Sequence, residues 1–185
     1  MGNKVIKDLI HSYITIDIDV QKIVDTPSFQ RLKRIKQLTC EYLFPSLNHT
    51  RYEHSLGVMK LACDFFDSLN KDMERFGISK KQIENYRFHI KFAALLHDVG
   101  HAPLSHLGES FYDKEEIYKS LIENLSDEKE ADRIFKDKKG NIVGSPHELM
   151  SCLCIIRKLN PTLTEINPNI NMELICRIII GNQYH

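Results

Sequence analysis

Helix-start signals recur along this 185-residue chain and constrain its fold more than any other feature. Three of them are capping boxes, in which a Ser or Thr lies three residues ahead of a Glu or Gln. These pairs are Thr50/Glu53, Ser79/Gln82 and Ser145/Glu148. Thr26 before Pro27 marks a further start, because Pro is favoured at the first helical position. The sequence therefore predicts a mainly α fold.

The spacing of apolar and turn residues gives approximate bounds for the elements. The β-branched segment 5–18 predicts a short N-terminal β strand or hairpin. We expect residues 37–47 to form a loop or extended chain and residues 136–141 to form a turn. The predicted helices are 27–36, 51–75, 80–98, 114–134, 146–159 and one from about residue 171.

The composition excludes several classes of protein. Apolar residues make up 42% of the chain, which is enough for a core, and no run approaches the roughly 18 apolar residues of a membrane span. The 25 basic and 25 acidic residues cancel, which argues against a polybasic nucleic-acid binder. The N-terminus lacks the apolar core of a secretory signal. The five Cys are an odd number spread along the chain, which argues against a disulfide framework. We expect a cytoplasmic protein with ordinary buried thiols.

Two of the nine histidines fall at matched places on long predicted helices. His54 lies in a first helical turn and is followed by a stripe, expected to be buried, at positions 58, 61 and 65. His97 ends a second stripe with positions 86, 90 and 93, and Asp98 is adjacent to it. A single buried His is more often a satisfied core residue, but two with a carboxylate indicate a shared role.

A divalent metal ion would explain why His54, His97 and Asp98 lie together, because a buried carboxylate needs a countercharge. Imidazole nitrogen and carboxylate oxygen suit Mn, Fe, Zn, Mg, Co or Ni. His101 and His106 follow on a turn, and His147 lies in the first turn of another helix. They indicate a general acid or contacts to an anionic substrate, although solvated loop residues would give the same pattern.

Several segments together resemble the HD-domain metal-dependent phosphohydrolases, and within them the deoxynucleoside triphosphate triphosphohydrolase branch. The H…HD signature is carried by the segments RYEHSLG at 51–57 and LLHDVGH at 95–101. The remaining similarity is carried by DTPSFQRL at 25–32, IKQL at 35–38, FP at 44–45 and PLSH at 103–106. The resemblance implies a helical HD fold and hydrolysis of dNTPs to deoxynucleoside and triphosphate.

The resemblance also assigns roles to individual residues. His54, His97 and Asp98 match metal ligands, and the catalytic set is His106, Glu109 and His101. His106 matches the acid that protonates the leaving 5′ oxygen, and Glu109 falls where relatives have an Asp that orients this His. The extra methylene of Glu puts that orientation in question. The matching substrate contacts are Gln37 for deoxyribose and base, and Arg51, His101 and His147 for phosphates.

Some members of the family bind activating nucleotides at a second site and assemble into oligomers. The positions that resemble this regulatory nucleotide site are Lys4, Asp25, Gln30 and Lys33. Lys33 stands where the family has Arg, and a point charge recognises guanine less well than a bidentate fork. We therefore do not favour activation by nucleotides here, and the resemblance implies a homo-oligomer.

The family signature ends with a further Asp ligand, and this chain has no Asp after Asp137. Asp132 and Asp137 lie in a polar stretch, and Glu148 is assigned to a capping box. We expect residues 1–185 to be the N-terminal part of a longer HD domain, with weak metal binding and poor dNTP hydrolysis on its own.

Two alternative functions remain at this point. One is an HD phosphohydrolase that acts on another nucleotide, cyclic or signalling. The other is a non-catalytic HD module that binds nucleotides or nucleic acid, which the absent last Asp and Glu109 would favour. A basic run at positions 31, 33, 34 and 36 could meet a phosphate backbone, but the zero net charge does not favour nucleic acid.

Overall fold

An antiparallel β-hairpin opens the chain, and the other described residues are mostly helical. In the computed structural model, which describes residues 2–38, 43 and 48–183, strand β1 (Lys4–Asp8) pairs with β2 (Ser12–Ile16). The register places Ile6 opposite Ile14. The predicted hairpin and the mainly α class are both confirmed.

The helices come after the hairpin in chain order. They are α1 Ile18–Val24, α2 Pro27–Gln30, α3 Arg51–Ser68, α4 Asn70–Arg75, α5 Lys80–Leu96, α6 Lys114–Leu125, α7 Glu128–Phe135, α8 Pro146–Cys154, α9 Asn160–Ile166 and α10 Met172–Ile180. Segments Arg31–Arg34 and Ser105–Phe111 form 3₁₀ turns, and Ile155–Leu159 forms a π-helical turn. Among the described helices, none is long and apolar enough to cross a membrane.

The predicted helix starts are present with their side-chain caps. At each of the three capping boxes the Glu or Gln side chain accepts a hydrogen bond from the backbone N–H of the cap residue. The Thr26 hydroxyl accepts from the Phe29 amide, as an N-cap does. Local chemistry therefore decided where these helices begin.

The predicted ends were less accurate than the starts. The helix predicted for 51–75 breaks at Leu69, and the one predicted for 114–134 breaks at Ser126, which has φ of 59°. The helix that starts at Pro27 tightens into 3₁₀ geometry after Gln30. The sequence interpretation missed α1 and α9, which are short and depend on tertiary packing. Of the loop predicted for 37–47, residues 39–42 and 44–47 lie outside the described residues.

The predicted buried stripe behind His54 is wrong. Leu61 is 56% exposed and Phe65 is 69% exposed, and Tyr86 of the second stripe is 39% exposed. Apolar residues lie on more than one face of α3, so periodicity could not choose between the faces. The buried row of α3, which packs toward α5 and β2, is Ser55, Leu56, Met59, Cys63 and Phe66.

One buried His has a purely structural role in the fold. His89 is fully buried in α5, and its Nδ1 hydrogen-bonds the Asn85 carbonyl at 2.7 Å. Its Nε2 accepts from the Asn171 amide at 2.9 Å, which ties α5 to the start of α10. Both ring nitrogens have hydrogen-bond partners, so His89 is a core histidine and not a candidate ligand.

The turn after α5 is fixed against α8 by a very close backbone approach. The Gly100 amide donates to Ser151 Oγ at 2.9 Å, and Ser151 Oγ donates to the His97 carbonyl at 2.6 Å. A Cβ added at Gly100 would lie 2.2 Å from the Ser151 nitrogen and 2.4 Å from the Met150 carbonyl carbon. Only Gly allows this packing, which sets the position of His97 and Asp98.

We expect Gly100→Ala to destabilise the protein by about 1–3 kcal/mol or more, because α8 would have to move away from the turn. Urea unfolding followed by circular dichroism measures the change. Gly2→Ala is the control, since an added Cβ there meets nothing within 4 Å. Equal stability of the Gly100→Ala and wild-type proteins would contradict the close approach.

Asp17 gives a second, pH-dependent prediction. Its carboxylate caps α1 through the Val20 amide at 2.9 Å and pairs with Lys91 Nζ at 2.9 Å. Burial acts to raise the pKa of Asp17, but the hydrogen bonds from Val20 and Lys91 outweigh it and leave the pKa below its usual value. The ionised form therefore adds stability above the unfolded pKa of about 3.9, and this is lost as the pH falls through the folded pKa.

Asp17→Ala should cost about 0.5–2 kcal/mol at pH 7, the usual value of an N-cap. Asp17→Asn should cost less, because Asn keeps the cap and loses only a half-exposed ion pair. The difference between wild type and Asp17→Asn should shrink below about pH 3.5 in pH-dependent urea unfolding. A difference that grows toward low pH would rule out this account.

Candidate functional site

Two packed helices and the turn between α5 and the 3₁₀ segment bring the site residues together. Arg51 and His54 lie on the first turn of α3, and His97 is the C-cap of α5 with Asp98 next to it. Because α3 packs along α5, the start of one helix meets the end of the other. This places the predicted residues His54, His97 and Asp98 within reach of one another, although the stripe behind His54 was wrong and the stripe of His97 is buried only in part.

These three residues form a group that we call the metal cluster. Nε2 of His97 lies 3.3 Å from Nε2 of His54 and 3.4 Å from Oδ1 of Asp98, and Nε2 of His54 lies 3.7 Å from Oδ2 of Asp98. Ligand atoms bonded at about 2.0–2.2 Å to one divalent ion lie about 3–3.6 Å apart; two of these spacings fall in that range, and the third is slightly longer. Within the described residues, this cluster comprises three side chains.

The protonation of the metal cluster also fits a cation. His97 Nδ1 contacts the Ala94 carbonyl at 2.8 Å, which puts the proton on Nδ1 and leaves the Nε2 lone pair directed at His54. Burial lowers the pKa of His54 despite the opposing charge of Asp98. Burial acts to raise the pKa of Asp98, but His97 and Arg51 outweigh it and keep the carboxyl ionised. Two imidazole nitrogens and one carboxylate oxygen are a donor set for a divalent ion.

The alternative carboxylates of the sequence are used elsewhere. Asp132 accepts from the Tyr118 hydroxyl and pairs with Lys136 at 2.7 Å. Asp137 accepts from the amides of its own turn, including Asn141 at 2.9 Å. Neither belongs to the metal cluster.

Arg51 connects the metal cluster to the 3₁₀ segment that begins at Ser105. Its side chain is 3% exposed, and Nη1 donates to Asp98 Oδ2 at 2.7 Å. Nη2 lies 2.5 Å from Ser105 Oγ and 3.1 Å from His106 Nε2. One guanidinium thus spans the distance between the proposed metal ligand and the proposed acid.

A second group, which we call the Glu109 cluster, consists of His101, His106, Glu109 and His147. Glu109 Oε1 lies 2.5 Å from His106 Nδ1 and 3.0 Å from His147 Nδ1. Burial acts to raise the pKa of Glu109, but the hydrogen bonds from His147 and His106 outweigh it, so the group is a carboxylate. The longer Glu side chain therefore reaches His106 despite its extra methylene.

His101 is fully buried at the centre of the Glu109 cluster. Its ring stacks on that of His147 with centroids 4.2 Å apart and planes 15° apart. Neither ring nitrogen has a hydrogen-bond partner among the described residues. Burial, with the positive charges of Arg51 and His147, lowers the pKa of His101 to about 3, against the opposing effect of Asp98 and Glu109. The neutral ring is available to a ligand that enters the site.

Gln37 lies beside the same guanidinium, and its predicted contact with substrate stays a prediction. Its backbone carbonyl accepts from Ser105 Oγ at 3.3 Å and lies 3.4 Å from Arg51 Nη2. Its side-chain Oε1 is buried and has no hydrogen-bond partner among the described residues. Of the predicted substrate contacts, His101 and His147 belong to the Glu109 cluster, Arg51 joins the two clusters, and Gln37 lies beside Arg51.

Ser105 is a site residue that sequence reasoning quoted in a motif without giving it a role. It is buried, has φ of 53°, and places Oγ between Arg51 and the Gln37 carbonyl. A positive φ is uncommon outside Gly and marks a turn held by its surroundings. The only signal in the sequence was its position between Pro103 and His106.

The predicted regulatory residues lie away from both clusters. Lys33 stacks over the Tyr52 ring at 4.7 Å, and Gln30 Nε2 donates to the Val24 carbonyl at 2.7 Å. Asp25 is the C-cap of α1, and Lys4 begins β1. These contacts give Gln30 and Lys33 structural roles, and the regulatory nucleotide site and the homo-oligomer stay predictions.

Comparison with known proteins agrees with the geometry. Residues 51–164, more than half of the chain, match the model of the HD domain family. An uncharacterized protein of Methanocaldococcus jannaschii is 44% identical over 104 residues, which are 56% of this chain and 20% of that protein. The human deoxynucleoside triphosphate triphosphohydrolase SAMHD1 is 42% identical over 105 residues, which are 56% of this chain and 16% of that enzyme.

A SAMHD1 homolog of Dictyostelium discoideum is 35% identical over 114 residues, 61% of this chain. The aligned part is about a fifth of the length of these relatives or less. The family match covers both the metal cluster and the Glu109 cluster. This chain therefore belongs to the HD domain family.

Proposed function

We propose that the site belongs to a metal-dependent phosphohydrolase that converts dNTPs to deoxynucleoside and triphosphate. The observation that carries the proposal is the position of Arg51, whose guanidinium contacts both Asp98 of the metal cluster and His106 of the Glu109 cluster. A phosphate lying between these clusters would meet Lewis acid, guanidinium and general acid together. Relatives named as deoxynucleoside triphosphate triphosphohydrolases support the substrate class.

His54, His97 and Asp98 would hold the divalent ion, which supplies Lewis acidity toward the α-phosphate when it is bound. Asp98 has a further role as the residue that anchors Arg51. The ion pair aligns the guanidinium with the phosphate site before substrate arrives, so less ordering is required on binding. His101 and His147 line the other side and would hydrogen-bond phosphate oxygens.

His106 is the proposed general acid, and its proton must be on Nε2 when it acts. In this structure Nε2 faces the Arg51 guanidinium at 3.1 Å, and two positively charged donors would not share that contact. A substrate phosphate that accepts from Nη2 would replace this contact and let His106 Nε2 carry the proton, while Nη1 stays paired with Asp98. Protonation of His106 Nε2 would thus be coupled to substrate binding.

The chemical step would break the bond between the α-phosphorus and the 5′ oxygen. The oxygen of a water molecule bonds to phosphorus, and its proton leaves to solvent. His106 Nε2 gives its proton to the departing 5′ oxygen, while Nδ1 stays hydrogen-bonded to Glu109. The Glu109 carboxylate stabilises the imidazolium and fixes the ring, as an orienting carboxylate does in an acid–base pair.

We expect His97→Ala and Asp98→Asn to lower the rate of dNTP hydrolysis by more than about a hundredfold. Mutating a residue that only hydrogen-bonds a metal ligand already lowers metal affinity or activity by about 10–100-fold. The assay incubates the full-length protein with Mn²⁺ and each dNTP, and measures inorganic triphosphate by ion chromatography. Cyclic nucleotides and ribonucleotides provide the comparison arms.

Asp137→Asn is the matched control for the carboxylate change, because Asp137 caps its own turn outside both clusters. It should retain wild-type activity. Retained activity in Asp98→Asn would contradict the metal assignment. Release of orthophosphate without triphosphate, or activity confined to cyclic nucleotides, would contradict the dNTP assignment.

A second prediction concerns Glu109. Glu109→Gln should lower kcat by about 10- to 1,000-fold, a part of the roughly 10²–10⁴ that a positioned acid contributes. KM should change little, because Glu109 touches His106 and His147 rather than substrate. Glu109→Asp should recover part of kcat, since it restores the carboxylate. A change confined to KM would mean that Glu109 only shapes the binding site.

A further inference from the structure

A cleft of about 360 Å³ lies behind the turn at the end of α5. Its walls include Val99 and Gly100 of that turn, Ser28 of α2 and Leu153 of α8. The backbone of the turn separates the cleft from the site, because no residue of the metal cluster or of the Glu109 cluster lines it. The cleft is therefore a separate feature, and the proposed function makes no use of it.

Among the described residues, three cationic side chains and no acidic one line the cleft. Arg31, Arg157 and Lys158 border it, and every other lining residue is uncharged at neutral pH. Arg157 and Lys158 form no ion pair with any described residue, whereas most other cations near the core do. Concentrated positive charge in a concave surface attracts anions.

Arg31 gives the cleft a fixed cation. Its Nη2 donates to the His101 carbonyl at 2.5 Å, and its side chain also hydrogen-bonds the Tyr112 side chain, so the guanidinium is held in place at the wall of the cleft. The Tyr112 hydroxyl donates to the Gly100 carbonyl at 3.0 Å on the same wall. A preorganised guanidinium loses less entropy when it binds an anion.

The Cys154 thiol lies among these cations in the wall of the cleft. Burial raises the pKa of the Cys154 thiol, and the nearby Lys158 and Arg31 act in the opposite direction. The thiol stays neutral at physiological pH, so the lining residues themselves supply no anion to these cations.

Most of the remaining wall is apolar, and the volume of the cleft limits the size of a ligand. Pro27, Val99, Met150 and Leu153 give an apolar floor next to the cations. Pockets for small molecules usually measure about 300–1,000 Å³ and combine apolar walls with a few placed polar groups. Arg and Lys recognise phosphate through charge-assisted hydrogen bonds.

We propose that this cleft binds a small phosphate-bearing anion. The occupant would contact Arg31, Arg157 and Lys158, with any apolar part against Leu153 and Met150. Arg31 also holds the His101 carbonyl. An occupant that shifts Arg31 would therefore also shift the turn that carries Asp98.

Isothermal titration with pyrophosphate, without added divalent ions, tests the proposal. We expect 1:1 binding to wild type and affinity at least about tenfold weaker in the Arg157→Ala/Lys158→Ala double variant, which loses two charge-assisted contacts. Both side chains are exposed, so the fold should persist. The matched control Lys80→Ala/Lys81→Ala removes the same charge from an exposed helix start and should bind like wild type.

His97→Ala separates this cleft from the candidate active site. Binding should be retained in His97→Ala, because the ring lines the metal cluster and not the cleft. Binding that survives in Arg157→Ala/Lys158→Ala, that is lost in His97→Ala, or that is absent in wild type would each overturn the proposal. None of these readouts depends on dNTP hydrolysis, so failure here is distinct from failure of the proposed function.

Discussion

The buried ion pair between Arg51 and Asp98 is the interaction on which the site depends. Both side chains are almost fully buried, and they join the start of α3 to the end of α5. Breaking such a pair from one side usually costs about 3–5 kcal/mol, because a charge is left uncompensated. The pair is stable here because His54, His97 and Ser105 surround it with further polar contacts. The same contacts arrange the groups for phosphate chemistry.

The close approach of α8 to the turn after α5 positions the histidines of the Glu109 cluster. Gly100 allows the backbones to meet, and Ser151 joins them through two hydrogen bonds. Since His147 lies at the start of α8, this packing also brings its ring against His101. Stability and site geometry therefore rest on the same contact, while the cationic cleft uses the outer surface of the same turn.

The accuracy of sequence reasoning varied with how local the deciding interaction was. The capping box at Thr50 located the start of α3, because a cap needs only residues within one turn. The face of α3 that is buried depended on α5 and the hairpin, so Leu61 and Phe65 were assigned to the core and are exposed. His54 nevertheless lies beside His97 and Asp98, since its position at the helix start mattered more than its stripe.

By itself the sequence determined the fold class, the starts of the helices that carry a capping box or an N-terminal Pro, and the residue types of a candidate metal and acid–base site, because each depends on near neighbours and composition. Tertiary structure alone decided that Arg51 bridges the two clusters, that Glu109 contacts both His106 and His147, and that His89 is structural. These contacts join residues that are distant in the chain, or they depend on how the helices pack. A buried histidine becomes a candidate ligand or a core residue according to which partners the packing gives its two ring nitrogens.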